Sequence, residues 1–278
     1  MRKFWVKAKM VFGRDYRKRI SPRKRKYENE REKAADEVSS KVLFCTGLAK
    51  DKPLVYVLRG KDGDMLVDTG TEEVTRQIDR WIRRNRFDIK WIFLTHAHFD
   101  HTWNAQFFKR KYGAKVILHE KDRRLFSLRE ESELKATETK SNWFAQLGNK
   151  LENTKMRPFC RVDYFLNDSD TGFLRELGFD ADVVMLPGHT KGSMGIMQGK
   201  VIYAGDAVAA KSGDYYTMNI GEQTEAIFES EQKIFDLKPL VIAPGHGRLI
   251  INEKAFFDED EVTAPAEDGK TEQTRKKK

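Results

Sequence analysis

The sequence predicts an α/β protein of stacked sheets and helices, and three observations carry that expectation. Short apolar or alternating runs, bounded by Gly, Pro and Asp, recur along the chain as strands do. Helical runs with one apolar face lie between them, and such alternation implies sheets covered by helices. Polar residues, five of the six histidines among them, stand at the ends of apolar runs, and His189, Asp206 and His246 stand beside glycine, where backbone turns tightly and a ligand can enter.

The elements follow in order. "KVLFCTGL" (41–48), "PLVYVLRG" (53–60) and "GDMLVDTG" (63–70) read as successive strands. "EEVTRQIDRWIRRNRF" (72–87) places Val74, Ile78, Trp81 and Ile82 on one face, the spacing of an amphipathic helix beginning beside a Thr71 cap. "IKWIFLTH" (89–96) is the next strand, and its apolar residues stop where the histidines begin. A helix over "WNAQFFKRKYG" (103–113) and a strand over "AKVILHE" (114–120) come next. "DADVVMLPG" (180–188), "GSMGIMQG" (192–199) and "KVIYAGD" (200–206) are three further strands. "EQTEAIFESEQKIFDL" (222–237) is a helix, and "PLVIAPGHG" (239–247) a last strand and loop. The stretch from about 120 to 165 breaks this rhythm and reads as a helical insertion, either a lid or substrate wall or a purely structural excursion.

Composition divides the chain into a core and two tails. With 278 residues, 39% of them hydrophobic, the chain can bury one substantial core, expected over 41–257. Residues 1–33 hold 14 Lys or Arg against 4 Asp or Glu, a surplus of ten, so a formal charge of +9 leaves −1 for the remainder. The basic character therefore belongs to a leader, expected over 1–40 as a partly disordered, solvated segment. The competing reading is weak contact of residues 1–33 with nucleic acid or an anionic membrane, aided by Phe4, Trp5 and Phe12. Residues 258–278 are polar and charged and read as a disordered tail. Cys45 and Cys160 are too few for a disulfide framework, no run approaches the roughly 18 apolar residues of a membrane span, and no cleavage site follows the basic start. These features point to a cytoplasmic protein.

The chemistry lies in four strand ends. "LTHAHFDH" supplies His96, His98, Asp100 and His101; "LPGHTKGS" supplies His189, "YAGDAV" Asp206 and "APGHG" His246. His96 and His98, two apart at a strand end, point to the same side, and a tight turn through Phe99 lets Asp100 and His101 face the same cavity. Imidazole and carboxylate suit Zn²⁺ or a related first-row dication, and the absence of thiolates argues against a zinc finger. A lone histidine beside a strand is usually ordinary packing or surface; five of six gathered at strand ends are not.

This constellation resembles the metallo-beta-lactamase superfamily over about residues 41–257, with an HxHxDH element followed in order by histidine, aspartate and histidine. The resemblance implies a four-layered αβ/βα sandwich with its metals at one edge. It implies that His96, His98 and His189 hold one Zn²⁺, that Asp100, His101 and His246 hold a second, and that Asp206 bridges them, with Mn²⁺ or Fe²⁺ able to occupy the same ligands. Asp68 matches the family's strand-end aspartate, which supports the ligands. Thr190 and Ser193 read as turn residues or as donors behind His189.

Two such ions would deprotonate a shared water near neutral pH and polarise an ester, amide or phosphoryl oxygen. Asp100 and Asp206 are the catalytic candidates, Asp100 also as a proton shuttle. The resemblance also prunes substrates. Class B lactamases generally use a cysteine or lack part of this histidine set, flavodiiron relatives place an acidic residue where His98 stands, and persulfide-oxidising relatives use a single iron. Glyoxalase II-like thioesterases share the full set but rely on a C-terminal helical extension, whereas "NEKAFFDED" and a charged tail follow His246 here. The lactonase-like branch fits the chain's size, with Tyr215, Tyr216 and Trp103 as candidate substrate-side residues and Phe107 and Trp143 as further candidates for the cavity wall, packing being the first expectation for all five. Hydrolysis of a small lactone or carboxylic ester is the leading expectation, a nuclease or phosphodiesterase of the same fold the alternative, and a noncatalytic metal-binding scaffold the third.

Overall fold

The computed structural model of the chain describes residues 42–46, 53–128, 133–137, 142–154, 158–211, 214–217 and 220–252. The expected leader and charged tail lie outside these residues, as does all of "NEKAFFDED" after Asn252. The chain begins with β1 (Leu43–Thr46), β2 (Leu54–Leu58) and β3 (Asp64–Val67), then α1 (Thr75–Asn85), β4 (Ile89–Phe93), the single turn α2 (Phe99–Thr102), α3 (Ala105–Tyr112) and β5 (Lys115–His119). Two tight turns (Glu120–Asp122 and Arg124–Leu128), β6 (Lys135–Ala136) and α4 (Asn142–Thr154) form the insertion, and β7 (Tyr164–Leu166) and α5 (Phe173–Glu176) follow. The second half runs β8 (Asp182–Met185), β9 (Met194–Gln198), β10 (Val201–Gly205), β11 (Val208–Lys211), β12 (Asp214–Thr217), β13 (Ile220–Gly221), α6 (Thr224–Asp236), β14 (Val241–Pro244) and β15 (Ile250–Ile251).

Two sheets result, a six-stranded one in the order β1-β2-β3-β4-β5-β7 and a five-stranded one in the order β15-β14-β10-β9-β8. Period-two alternation assigns each strand residue to a layer. On β2, Val55 and Val57 face α1 and α3 with Leu66, Ile92, Ile78, Ile82 and Phe108, while Leu54, Tyr56 and Leu58 face the other sheet. Between the sheets, Met65, Phe93 and Ile117 meet Val183, Ile196, Tyr203 and Val241. On the far side Val184, Ile202 and Ile242 pack against Ile234 of α6. The order helix, sheet, sheet, helix is the expected αβ/βα sandwich.

Strand direction places the site. β3, β4 and β5 are parallel, β10 and β14 are parallel, and β8 runs with β10 because β9 pairs antiparallel to both. Their C-terminal ends therefore share one edge, where ligands bind in open α/β sheets.

Several expectations need correction. Thr71 is extended (φ −80°, ψ 170°) and its hydroxyl caps nothing; a 3-10 turn precedes α1, and the Thr75 hydroxyl bonds the Glu72 carbonyl at 2.6 Å. The Thr71 carbonyl is already taken by the Asn104 side chain at 2.8 Å, which holds that segment to the neighbouring loop. The insertion contains the expected helix, but β6 also clips it to β13, pairing Ala136 with Ile220. Phe107 and Trp143 are 42% and 62% exposed rather than packed; Phe107 lies instead under the Lys111 ammonium at 5.4 Å. Among the described residues no helix is long and apolar enough to cross a membrane.

Phe93 is fully buried between the sheets. Phe93→Ala is expected to cost about 3–5 kcal/mol of unfolding free energy, read as a lower urea midpoint at unchanged slope.

Candidate metal centre

β4 ends at Phe93, and the buried chain bends at Thr95 and His96 before reaching an extended His98. The expected turn through Phe99 is one helical turn, closed by His101 N–H to the His98 carbonyl at 3.2 Å, which brings Asp100 and His101 round beside His96. From the second sheet, β8 leads to His189, β10 to Asp206 and β14 to His246. Two glycines permit the approach of these ends. Gly205 has φ +52°, and a side chain there would sit 2.8 Å from Thr95. A Cβ on Gly245 would lie 1.9 Å from Asp206 Oδ1, because its amide bonds the Gly205 carbonyl at 2.7 Å.

All seven polar residues expected at the site converge. His96, His98 and His189 form one triad, Asp100, His101 and His246 another, and Asp206 groups with His96 and His101 between them. His98 Nδ1 is 2.9 Å from His189 Nε2, and His246 Nε2 is 3.3 Å from Asp100 Oδ2 and 3.2 Å from His101 Nε2. Asp206 Oδ2 stands 3.5 Å from His189 Nε2 and 3.4 Å from His246 Nε2, and its Oδ1 is 3.4 Å from His101 Nε2.

Hydrogen bonds behind the rings set their tautomers. His101 Nδ1–H donates to Asp68 Oδ2 at 2.8 Å, and His189 Nδ1–H to the Ile220 carbonyl at 2.9 Å, which turns each Nε2 to the cavity side. Thr95 Oγ1 donates to Asp68 Oδ2 at 2.8 Å and so accepts from His96 Nδ1–H at 3.0 Å. Asp68 thereby orients two imidazoles, from a backbone held at φ +60°, a region aspartate tolerates better than most residues.

The donor set fits a divalent ion. His96 Nε2 and Asp206 Oδ1 are buried with no hydrogen-bond partner, and buried polar atoms need one. Burial, then the neighbouring imidazoles His101 and His98, hold His96 well below the usual histidine range; burial and His189 do the same for His98, so both remain neutral donors. Burial opposes charge on His101 and on Asp206 as well. For His101 the carboxylates of Asp206, Asp100 and Asp68 overcome it and raise the ring well above its ordinary value. For Asp206 the imidazoles His246 and His101 overcome it, and the carboxyl lies well below its ordinary value. Imidazole nitrogens with carboxylate oxygens are the ligands that zinc and related first-row dications take.

The supporting residues divide. Thr190 and Ser193 do not touch the His189 ring: the Thr190 hydroxyl donates to Asp122 Oδ2 at 2.7 Å, and Ser193 Oγ accepts from Thr190 N–H at 2.9 Å. Trp103 is half-buried just after α2. Tyr215 and Tyr216 lie on β12, opposite Ala210 and Ala209 of β11, in the hairpin that follows Asp206. The sixth histidine, His119, stands apart and caps the turn Glu120–Asp122 through Nδ1, which accepts from Lys121 N–H at 3.2 Å.

Sequence reasoning missed Asn104 and Asp122. The Asn104 amide donates to the Thr69 and Thr71 carbonyls at 2.8 Å each and to Gly70 at 3.3 Å, tying the HxHxDH loop to the turn that carries Asp68. Asp122 lies in "EKDRR", which reads as solvated surface, yet it is 1% exposed. Burial pushes its carboxyl up to about 6, against the bonds from Thr190 and Gly192. The one signal available was its position just past an apolar strand, like that of Asp68.

With this geometry in hand, comparison with known proteins is informative. A family model described as the metallo-beta-lactamase superfamily matches residues 50–246. The chain is 27% identical over 180 residues to "Probable metallo-hydrolase YflN" of Bacillus subtilis, a match covering 58% of this chain and 65% of that one, under two thirds of its length. It is 27% identical over 190 residues to "Hydroxyacylglutathione hydrolase GloC" of Haemophilus influenzae, covering 66% of this chain and 79% of that one. Among solved structures, TTHA1623 in a di-iron-bound form superposes with a TM-score of 0.56 at 23% identity, covering 76% of this chain and 94% of that one, which shows a common fold.

Gly245→Ala is expected to push Asp206 out of place and weaken metal uptake by about 10–100-fold, the range typical for disturbed support of a metal ligand. Gly172→Ala, where a Cβ meets nothing within 4 Å, serves as the control, and equilibrium dialysis against zinc compares the two.

Proposed function

We propose, on the premise that the chain belongs to the metallo-beta-lactamase superfamily, that it is a metal-dependent hydrolase of small lactones or other carboxylic esters. The observation that carries a two-ion reading is Asp206 Oδ2, one oxygen within 3.5 Å of a ring nitrogen from each triad. In this reading His96, His98 and His189 hold one ion, Asp100, His101 and His246 the other, and Asp206 both. Zinc suits the nitrogen-and-oxygen donor set best, and iron or manganese fit the same ligands. When bound, the ions supply Lewis acidity toward the substrate carbonyl and toward water.

The chain's own groups supply the rest. Asp100 is the accessible carboxylate of the pair, with a side chain 23% exposed against 6% for Asp206. With Oδ2 facing His246 and His101, the Asp100 carboxylate would take a proton from the attacking water and return it to the leaving alkoxide. Asp206, held ionised in the interior, keeps the two triads in register. Asp68 and the Ile220 carbonyl fix His101 and His189 so that no reorientation accompanies the reaction. The acyl substrate named for GloC supports a carbonyl electrophile. The hairpin bearing Tyr215 and Tyr216 and the half-buried Trp103 are the substrate-side candidates, and the basic leader is a tether or a nonspecific attraction for polyanions.

Elemental analysis of purified protein is expected to find about two transition-metal ions per chain. Asp206→Ala should lose both and most turnover, whereas Tyr216→Phe should keep its metal and alter only substrate kinetics. A parallel screen of metal-reconstituted protein against lactones, aryl esters, thioesters, phosphodiesters, RNA and DNA, with D206A as contamination control, tests the substrate class. Carboxylic-ester turnover that survives deletion of residues 1–33 supports the proposal. Turnover confined to phosphodiesters or nucleic acid overturns it in favour of a nuclease.

A further inference from the structure

Asp122 is a buried carboxylate that the chemistry above does not use, and it holds no charged partner. Its three close donors are neutral and come from two loops. Ala97 N–H reaches Oδ2 at 2.9 Å, the Thr190 hydroxyl reaches the same oxygen at 2.7 Å, and Gly192 N–H reaches Oδ1 at 2.7 Å. Ala97 stands between His96 and His98, and Thr190 follows His189 directly. One side chain therefore bonds the backbone of both loops that carry the three-histidine triad. The residues of the other triad receive none of these bonds: His101 rests on Asp68, and Asp100 and His246 on each other.

The surroundings are built to this contact. A Cβ on Gly192 would lie 2.6 Å from Asp122 Oδ1, so the loop reaches the carboxylate only because glycine stands there. Ser193 Oγ braces Thr190 by accepting its N–H at 2.9 Å, and His119 caps the turn from which Asp122 projects. A carboxylate offers about four lone-pair sites, so three donors at 2.7–2.9 Å can be satisfied together.

We propose that Asp122 is a positioning residue for the three-histidine half of the centre, fixing the distance between the His96–His98 loop and the His189 loop so that their ring nitrogens converge on one ion. This rests on the two-ion reading, and its consequence is selective: loss of Asp122 weakens one binding step and spares the other. Asparagine has nearly the same shape but presents an NH₂ group on one side, and whichever way its amide is turned, the N–H of Ala97 or of Gly192 then faces a donor. A carboxylate serving only the fold would weaken both steps together.

The test is zinc titration of the metal-stripped full-length protein against a chromophoric chelator, comparing wild type, Asp122→Asn and Thr190→Val, with His189→Ala marking the three-histidine step. D122N is expected to weaken the step that H189A abolishes by about 10–100-fold, the usual cost of losing a group that orients metal ligands. The other step should stay within about threefold of wild type, as for an effect confined to one ligand group, even though the metal-free protein melts lower for the loss of a buried hydrogen bond. T190V, which removes one donor and leaves Asp122 charged, should weaken the same step by a smaller factor. If D122N does not fold, T190V decides alone. An unchanged three-histidine step, or equal weakening of both steps, overturns the proposal. A wild type with a single step overturns the two-ion reading instead, and the Asp122 assignment then stands only if that step is abolished in H189A and weakened in D122N.

Discussion

Five imidazoles and two carboxylates held within contact distance in a protein interior are an unfavourable cluster, and the architecture is organised around tolerating it. Like rings repel when protonated, and each polar atom has given up water. The cluster persists because the strands that carry it end at one edge of two sheets cemented by a continuous apolar layer. Placing the ionisable cluster beyond the strand ends leaves that layer to aliphatic and aromatic side chains. The same arrangement explains why Phe93, which contributes nothing to the chemistry, lies directly beneath it in sequence.

Order within the cluster comes from a shell of fixed hydrogen bonds. Asp68 reaches His101 directly and His96 through the Thr95 hydroxyl, so a single carboxylate selects the proton position on two rings. Asn104 does the equivalent for backbone, gathering three consecutive carbonyls with one amide. None of these contacts involves an exposed group, so water does not compete for them and they hold the rings in place at little dynamic cost.

Much of this was legible in the sequence, because apolar runs ending in His or Asp state both the strand and its function. The seven polar residues of the cluster and the layering of sheets and helices followed from that pattern, whereas the four-layer order and the supporting role of Asp68 came from the family resemblance. What escaped had physical reasons. Strands of two or three residues, such as β6, β7 and β13, are too short for a period to register. Thr71 looked like a side-chain cap because of its residue type, but its carbonyl, not its hydroxyl, accepts the first turn's N–H, from Val74, and a 3-10 turn starts there instead. Asp122 sits among Lys and Arg, and only the arrival of two remote loops turns a surface-looking carboxylate into a buried one. Exposed Phe107 and Trp143 mislead for the opposite reason, since aromatic character alone says nothing about which side of a helix will be covered.

The short clip between β6 and β13 carries a consequence for how such a protein can diversify. Ile220 pairs with Ala136 of the insertion on one side and receives the His189 ring proton on its carbonyl on the other. The insertion is thus not an independent module hung on a finished centre. An ancestor could lengthen or rewrite the segment beyond that clip freely, whereas deleting the segment outright would unmoor the strand that aims a metal ligand. Novelty in this lineage is therefore channelled: the outer part of the insertion is open to drift, while its root inherits the constraints of the centre.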